Sequence, residues 1–331
     1  MHEVGPHVFH SLEMGGRVSG LRNGLVVARL YRIFRRVRPT VLHCHGGTAW
    51  FTGGPASVQK DLRGRILEVH DAPHSRRLQP WNYAAEGVLL RRLGYTALVH
   101  SQDVREGVSR AARISPDRIA YVPLGIDTQA FGSCKITPAE WRALHGLPAS
   151  AKMVLYVARV VPTKNIPLFL QVAEDVIKRV PEACFVVVGT GSQFEEMVRS
   201  PIAQAHQSAI RFLGPKFGQD LVDTFNAADV FLTTSNYEGF GLVVVEAMAA
   251  GKAVVTTACG GVMDIVRQAD TGFVAAVGDR GGLAEATTRL LENPDLSARM
   301  GQAGRARAKA HYDLRQMVRG FEELYYRVAE S

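Results

Sequence analysis

The sequence predicts an α/β protein of two Rossmann-like, doubly wound domains facing across a cleft, and three observations carry that expectation. At 331 residues the chain exceeds the ~250–300 residues at which a single hydrophobic core stops growing. Apolar runs of strand length alternate with segments of helical periodicity through most of the chain, the pattern of βαβ units on parallel sheets. A stretch rich in turn and polar residues, 125–151, interrupts that alternation and divides it in two.

In the first series, segment 24–38 (GLVVARLYRIFRRVR) sets apolar residues at helical spacing opposite arginines, and Pro39 stops it. Strands are expected at 40–45 (TVLHCH) and 65–70 (RILEVH), then a helix at 84–93, a strand at 97–101, a helix at 103–112 and a strand at 118–123. The interrupting stretch holds one short helix, 138–145. The second series is cleaner. Strands are expected at 153–158, 184–189, 210–213, 230–234 and 253–257, with helices at 166–180, 193–200, 218–227, 242–250, 262–267 and 281–292 before a long helical C-terminal region. The expected division is 1–135, 136–315, and a terminal helix, 316–331, crossing back toward the first domain. Ligands of doubly wound sheets sit at the carboxyl ends of strands, so the loops after Ala158, Gly189, Leu213 and Thr234 should line one site.

Composition narrows the function classes. Hydrophobic residues at 47% and charged residues at 21% are ordinary for a globular protein, and no apolar run approaches the ~18 residues of a membrane span. The N-terminus does not read as a signal peptide, and Cys44, Cys134, Cys184 and Cys259 are far apart without CxxC pairing. A reduced, cytoplasmic setting without structural zinc is expected. The net charge of +8 is concentrated early: residues 1–139 carry 19 Lys/Arg against 10 Asp/Glu, the remainder 20 against 21. Nucleic acid is not the expected partner, because the arginines are dispersed through helical segments without interleaved aromatics or a recognition motif. The basic segment 24–38 leaves open a peripheral contact with an anionic membrane at its inner face, although the same pattern packs one face on a sheet in any soluble protein.

The chemistry concentrates in SNYEGFGLVVVEAMAAGK, 235–252. The loop after strand 230–234 runs through Glu238, Gly239, Phe240 and Gly241 into a helix starting at Leu242, whose first amides have no intrahelical acceptors. Such a helix start suits a phosphate or diphosphate, and the two glycines let it approach the backbone. Glu246, about two turns in, is placed as an ionised carboxylate for ribose hydroxyls; Glu238 is placed to face a second polyol. Arg159 and Lys164, in RVVPTKN on an exposed strand-end loop, supply a planar fork and a point charge suited to a diphosphate whose charge grows as it leaves. The loops 189–192, opening with Gly189, and 214–218, which contains Lys216, add backbone where a base and ribose would lie. His43 and His45 share a strand face, but a metal is not expected there, for no third ligand stands at metal spacing.

The series VLYVARVVPTKN, FVVVGTGS, IRFLGPKFGQDLVDTFNAADVFLTTSNYEGFGLVVVEAMAAGKAVVTTACGGVMDIV and TGFVAAVGD resembles the nucleotide-binding half of the retaining glycosyltransferases of family four, the glycosyl transferases group 1, which have the GT-B fold. VPLGIDTQAF resembles that family's strand-to-linker signature, and VLHCHGG and LEVHDAP its first-domain strands. The resemblance implies transfer of a sugar from a nucleotide diphosphate sugar, a UDP- or GDP-sugar, to a glycan, lipid-linked or small-molecule acceptor, with no permanently bound cofactor and no metal. It implies Arg159 and Lys164 at the diphosphate, Glu246 at the ribose, Glu238 with the Gly239, Phe240, Gly241 and Leu242 backbone at the donor sugar, and His70 facing the transferred sugar and acceptor.

Three departures accompany it. Only about 23 residues precede the segment matched to 24–45, where the family has a strand, a glycine-rich loop, a helix and a second strand; Glu13-Met14-Gly15-Gly16 is only superficially like that loop. A first domain lacking its first βα unit is therefore expected, in a fragment, a mis-started chain or a diverged form. Ala158 and Asn165 also stand where the family has glycine usually or often. The rival readings are a catalytically impaired nucleotide-sugar binder and, further off, a GT-B epimerase or phosphorylase.

Overall fold

The computed structural model describes residues 20–45, 53, 56, 62–72, 87–88 and 90–330, with side chains from residue 24. Two parallel sheets organise them. The first has the order β1-β2-β3-β4, with β1 Val41–His45, β2 Gly64–Val69, β3 Tyr95–Val99 and β4 Ile119–Tyr121. The second comprises β5 Lys152–Val157, β6 Ala183–Val188, β7 Ile210–Phe212, β8 Val230–Leu232, β9 Ala253–Thr257 and β10 Gly272–Ala275, in the order β10-β9-β8-β5-β6-β7.

That second order reverses direction between β5 and β8, and the reversal opens a crevice beyond the carboxyl ends of these two strands. The sheet is covered on both faces, which is why its strands read as unbroken apolar runs. Met153 and Leu155 of β5 join one core with Val186, Phe231 and Val244, whereas Val154 and Tyr156 join the opposite core with Phe169, Phe185 and Val187. In the first sheet Leu67 and Val69 face a core with Val99 and Val104, while Ile66 and Leu98 pack against Leu324 and Val328 of the terminal helix Leu314–Glu330.

Most expected elements form within one or two residues of their expected ends, and the differences have local causes. The helix expected at 193–200 is Phe194–Val198, and an unexpected one follows: Ser200 turns extended before Pro201, and Pro201–Ala205 begins anew. The short helix Thr128–Phe131, capped by Asp127, lies in the stretch read as containing a single helix. Strand β10 is a four-residue edge strand that the sequence reading passes over. The first sheet, with four strands among the described residues, fits the shortened domain expected there; Gly15 and Gly16 lie outside the described residues, as do 84–86 and 89 of the helix expected at 84–93, whose residues 87–88 and 90–92 are helical. No helix among the described residues is long and apolar enough to cross a membrane, and the four cysteines are free.

Candidate active site

The crevice is built from backbone first. After β5 the chain makes a 3-10 turn, Pro162–Lys164, and passes through Asn165 at φ 50° into the helix Ile166–Arg179. Asparagine tolerates this left-handed conformation and caps the helix through Leu168 N–H, so it serves where the family has glycine. The turn is bolted to the loop after β8: Tyr156 donates to the Lys164 carbonyl (2.6 Å), Thr234 to the Asn165 carbonyl (2.9 Å), and the Asn236 amide to the Thr163 carbonyl (2.8 Å). Gly189, at φ 131°, lies so close to Ala158 that a Cβ there would sit 1.9 Å from the Ala158 carbonyl oxygen. Its role is close backbone packing on the β5 loop.

Onto this frame the structure places the expected side chains. Arg159 is exposed and its guanidinium makes no ion pair among the described residues. Lys164 is not exposed as expected: its side chain is 15% accessible and donates to Glu238 Oε1 at 2.6 Å. Lys164 and Glu238, expected at the phosphate and at the sugar, are hydrogen-bonded to each other. Ser235 donates to the same Oε1 at 2.7 Å, which leaves Oε2 of the buried Glu238 without a hydrogen bond among the described residues. Gly241, at φ 104°, precedes the helix Leu242–Ala249, and no side chain caps its first turn. Phe240 points away, into the core against Tyr312, so only its backbone faces the crevice.

Glu246 is the fifth residue of this helix, little more than one turn in, where two were expected. It is half-buried, without a hydrogen-bond partner among the described residues, and burial raises its pKa to about 7. Burial thus favours the neutral form of the Glu246 carboxyl up to about neutral pH, where the sequence suggested a simply ionised carboxylate. Lys216 is tied by both its contacts to Asp220 (2.8 Å each), four residues on along the same chain.

The first domain closes the crevice. A Cβ on Gly239 would come within 2.1 Å of the His70 carbonyl oxygen, so the glycine is what lets the β8 loop reach the end of β2. The Ala72 amide donates to the Tyr237 hydroxyl at 2.7 Å, and the Gln102 amide to Asp264 at 2.7 Å. The His70 ring is 46% accessible, with Nε2 3.5 Å from Glu68 Oε1.

Sequence reasoning passed over Ser235, Tyr237 and Glu68. For Glu68 a signal existed, a lone carboxylate inside the apolar run RILEV, two positions before His70 on the same strand face. It is also the third group that the histidine pair was expected to lack: His43, His45 and Glu68 offer ligand atoms within 4.8 Å of one another, as do Glu68, His70 and His100. Burial alone would raise the Glu68 pKa, but the His100 hydrogen bond, the His43 contact and the nearby imidazoles outweigh it and hold the carboxyl far below its usual range.

Residues 138–307, half the chain, match the family model of the glycosyl transferases group 1, and residues 2–130 match that of glycosyltransferase family 4. This chain belongs to the glycosyl transferases group 1. Among curated members of the family, it is 30% identical over 306 residues to a D-inositol 3-phosphate glycosyltransferase of Corynebacterium urealyticum, covering 86% of this chain and 70% of that one. It is 27% identical to an N-acetyl-alpha-D-glucosaminyl L-malate synthase of Bacillus anthracis, covering 56% of this chain and 48% of that one. The fold agrees with a solved structure of Anabaena HepE in complex with UDP, at TM-score 0.81 and 20% identity over 91% of this chain and 81% of that one. A glycosyltransferase from Rickettsia africae matches at TM-score 0.82 and 16% identity, over 96% and 84%. The two-domain GT-B architecture expected from the sequence is the one observed.

Proposed function

We propose that this glycosyltransferase moves a sugar from a nucleotide diphosphate sugar to an acceptor with retention of anomeric configuration and without a metal at the diphosphate. The observation that carries the reading is the meeting, at the β5/β8 reversal, of the loop bearing Arg159, which makes no ion pair among the described residues, the Lys164–Glu238 pair and the uncapped helix start at Gly241. A departing diphosphate meets a guanidinium, an ammonium and a helix start already in place, so little reorganisation is needed as the bond breaks. Lys164 has three donors and spends one on Glu238, leaving the others for phosphate oxygens. Glu238 Oε2, oriented by two bonds to its sister oxygen, accepts from a sugar hydroxyl. Glu246 accepts from the ribose, and its burial strengthens both bonds once the carboxylate is ionised. A phosphate oxygen on the leaving face takes the acceptor proton, so no side-chain nucleophile is required, and His70 lines the acceptor side.

UDP is the first donor base to try, since HepE has been crystallised with UDP and with UDP-glucose. Calorimetric titration with UDP-, GDP- and ADP-sugars is the direct test, followed by NMR assignment of the anomeric configuration in any product. Binding of one nucleotide sugar with an unchanged anomeric centre in the product supports the proposal. Binding without turnover against glycan, lipid-linked and small-molecule acceptors would favour the impaired-binder reading, and inverted product would overturn the retaining mechanism.

A further inference from the structure

The first sheet buries a cluster that the donor chemistry does not use. β1 and β2 pair in parallel with His45 opposite Glu68, and strand alternation puts His43 on the same face as His45. The terminal helix Leu314–Glu330 covers this face: Leu324 and Val328 pack on Ile66 and Leu98, and the Tyr325 hydroxyl lies 2.8 Å from His43 Nδ1.

The Glu68 carboxylate is divided between two environments. Its Oε1 is satisfied by His100 Nε2 at 2.7 Å, and His100 Nδ1 is in turn anchored on the Val122 carbonyl at 2.8 Å. Its Oε2 faces His43 Nε2 at 3.0 Å and is in close contact with His45 Nδ1. Yet Oε2 and His43 Nε2 are both sealed from solvent and neither makes a hydrogen bond. Two buried polar atoms turned toward each other without a bond are destabilising, and a cation between them removes the cost for both.

We propose that His43 Nε2, His45 Nδ1 and Glu68 Oε2 form a binding site for a divalent transition-metal ion of the zinc type, separate from the donor diphosphate. Two imidazoles and one carboxylate suit zinc and its neighbours and not magnesium or calcium, which take oxygen ligands. An ion ~2.0–2.2 Å from each ligand needs donor atoms roughly 3–4 Å apart; the His43–Glu68 separation already lies in that range, whereas the exposed His45 ring stands closer to Oε2 and draws back to admit the ion. The Tyr325 contact to His43 Nδ1 fixes the ring with Nε2 toward the ion, the outer-shell arrangement that metal-binding histidines use. His45, 64% accessible, leaves the solvent side open for water or a further ligand. Cys44 points to the opposite face, in the core with Leu67 and Val99, and takes no part. A bound ion would tie β1 to β2 and, through Tyr325, to the terminal helix.

The test is metal binding by the full chain after chelator treatment, measured by calorimetry with zinc chloride and by the visible spectrum with cobalt(II). One equivalent should bind, with cobalt giving the absorption of a nitrogen- and oxygen-ligated site. His45→Ala, an exposed change whose fold circular dichroism can verify, should weaken binding at least tenfold; Glu68→Gln should do the same, and Tyr325→Phe should weaken it about tenfold. Absence of uptake by the wild-type chain would overturn the proposal and leave a proton as the cluster's only cation. Uptake unchanged in a folded His45→Ala would overturn it too, by locating the metal on other residues.

Discussion

The two sheets treat charge in opposite ways. In the second, every strand residue near the site is apolar or a small hydroxyl, and the charged groups Arg159, Lys164 and Glu238 stand on loops beyond the strand ends. In the first, the charged and titratable groups sit within the strands, with Glu68 of β2 and His43 and His45 of β1 under the terminal helix and next to His100. Loop charges can change partners when a ligand arrives, whereas strand charges are held by the sheet register and must satisfy one another or a small cation. The donor site is thus an open arrangement on a rigid frame, and the histidine cluster a closed one.

Substitutions in the donor site put that contrast at risk, beginning with its one closed feature, the Lys164–Glu238 pair. Lys164→Ala leaves a buried carboxylate uncompensated and should cost about 3–5 kcal/mol of stability in chemical denaturation, besides donor affinity. A variant as stable as wild type would show that this pair is as open as the rest of the site. Glu246→Gln should do the reverse. The unfolded chain ionises Glu246 above the ordinary 4.5 while the folded chain keeps it neutral until about 7, so the destabilisation is absent below 4.5, grows between these values and is complete above 7. The variant should therefore be more stable by about 3 kcal/mol at pH 8 and unchanged at pH 4, while binding nucleoside diphosphate and nucleotide sugar more weakly by comparable factors. A pH-independent difference in melting temperature would remove burial as the cause.

Arg159→Ala sharpens the comparison from the other side. Its guanidinium is exposed and makes no ion pair among the described residues, so stability should stay within about 0.5 kcal/mol. Donor affinity should fall tenfold to a hundredfold by calorimetry, the loss of about 1.5–3 kcal/mol expected of a charge-assisted contact. Glu238→Gln has the smallest expected effect on ligand binding, because glutamine still accepts from Ser235 and Lys164, although the Lys164 charge loses its counter-ion and stability falls with it. The affinity for free nucleoside diphosphate should be nearly untouched, and that for the intact donor, together with its slow hydrolysis, reduced several-fold through one weakened hydrogen bond. Equal weakening of both ligands would place Glu238 at the phosphates and not the sugar.

Much of this was legible in the residues. The continuous apolar runs of β5, β6 and β9 announce strands buried on both faces, and the run EGFGLVVVE announces a loop entering a helix, because these signals are local and periodic. Asn165 stands where the family often has glycine, and its left-handed conformation is one that asparagine adopts. What the sequence misplaced was relational. Lys164 and Glu238 are 74 positions apart, and their pairing follows from the β5/β8 neighbourhood. Tyr237 looks like a loop residue until its hydroxyl meets the Ala72 amide across the cleft.

The sequence by itself determined the two-domain α/β architecture, the strand-end location of the cations and the helix start beside Glu238, since each depends on residues within a few positions of one another. Only the tertiary structure decided which charges are open and which are closed. Glu68 became the centre of four histidines because parallel register set it beside His45 and the terminal helix covered the His43 side of the face, leaving His45 and His70 open to solvent. Burial raises the Glu246 pKa to about 7, because packing removed its water and no hydrogen-bond partner stands by it among the described residues. Burial and partnership are properties of long-range packing, and no local pattern of residues encodes them.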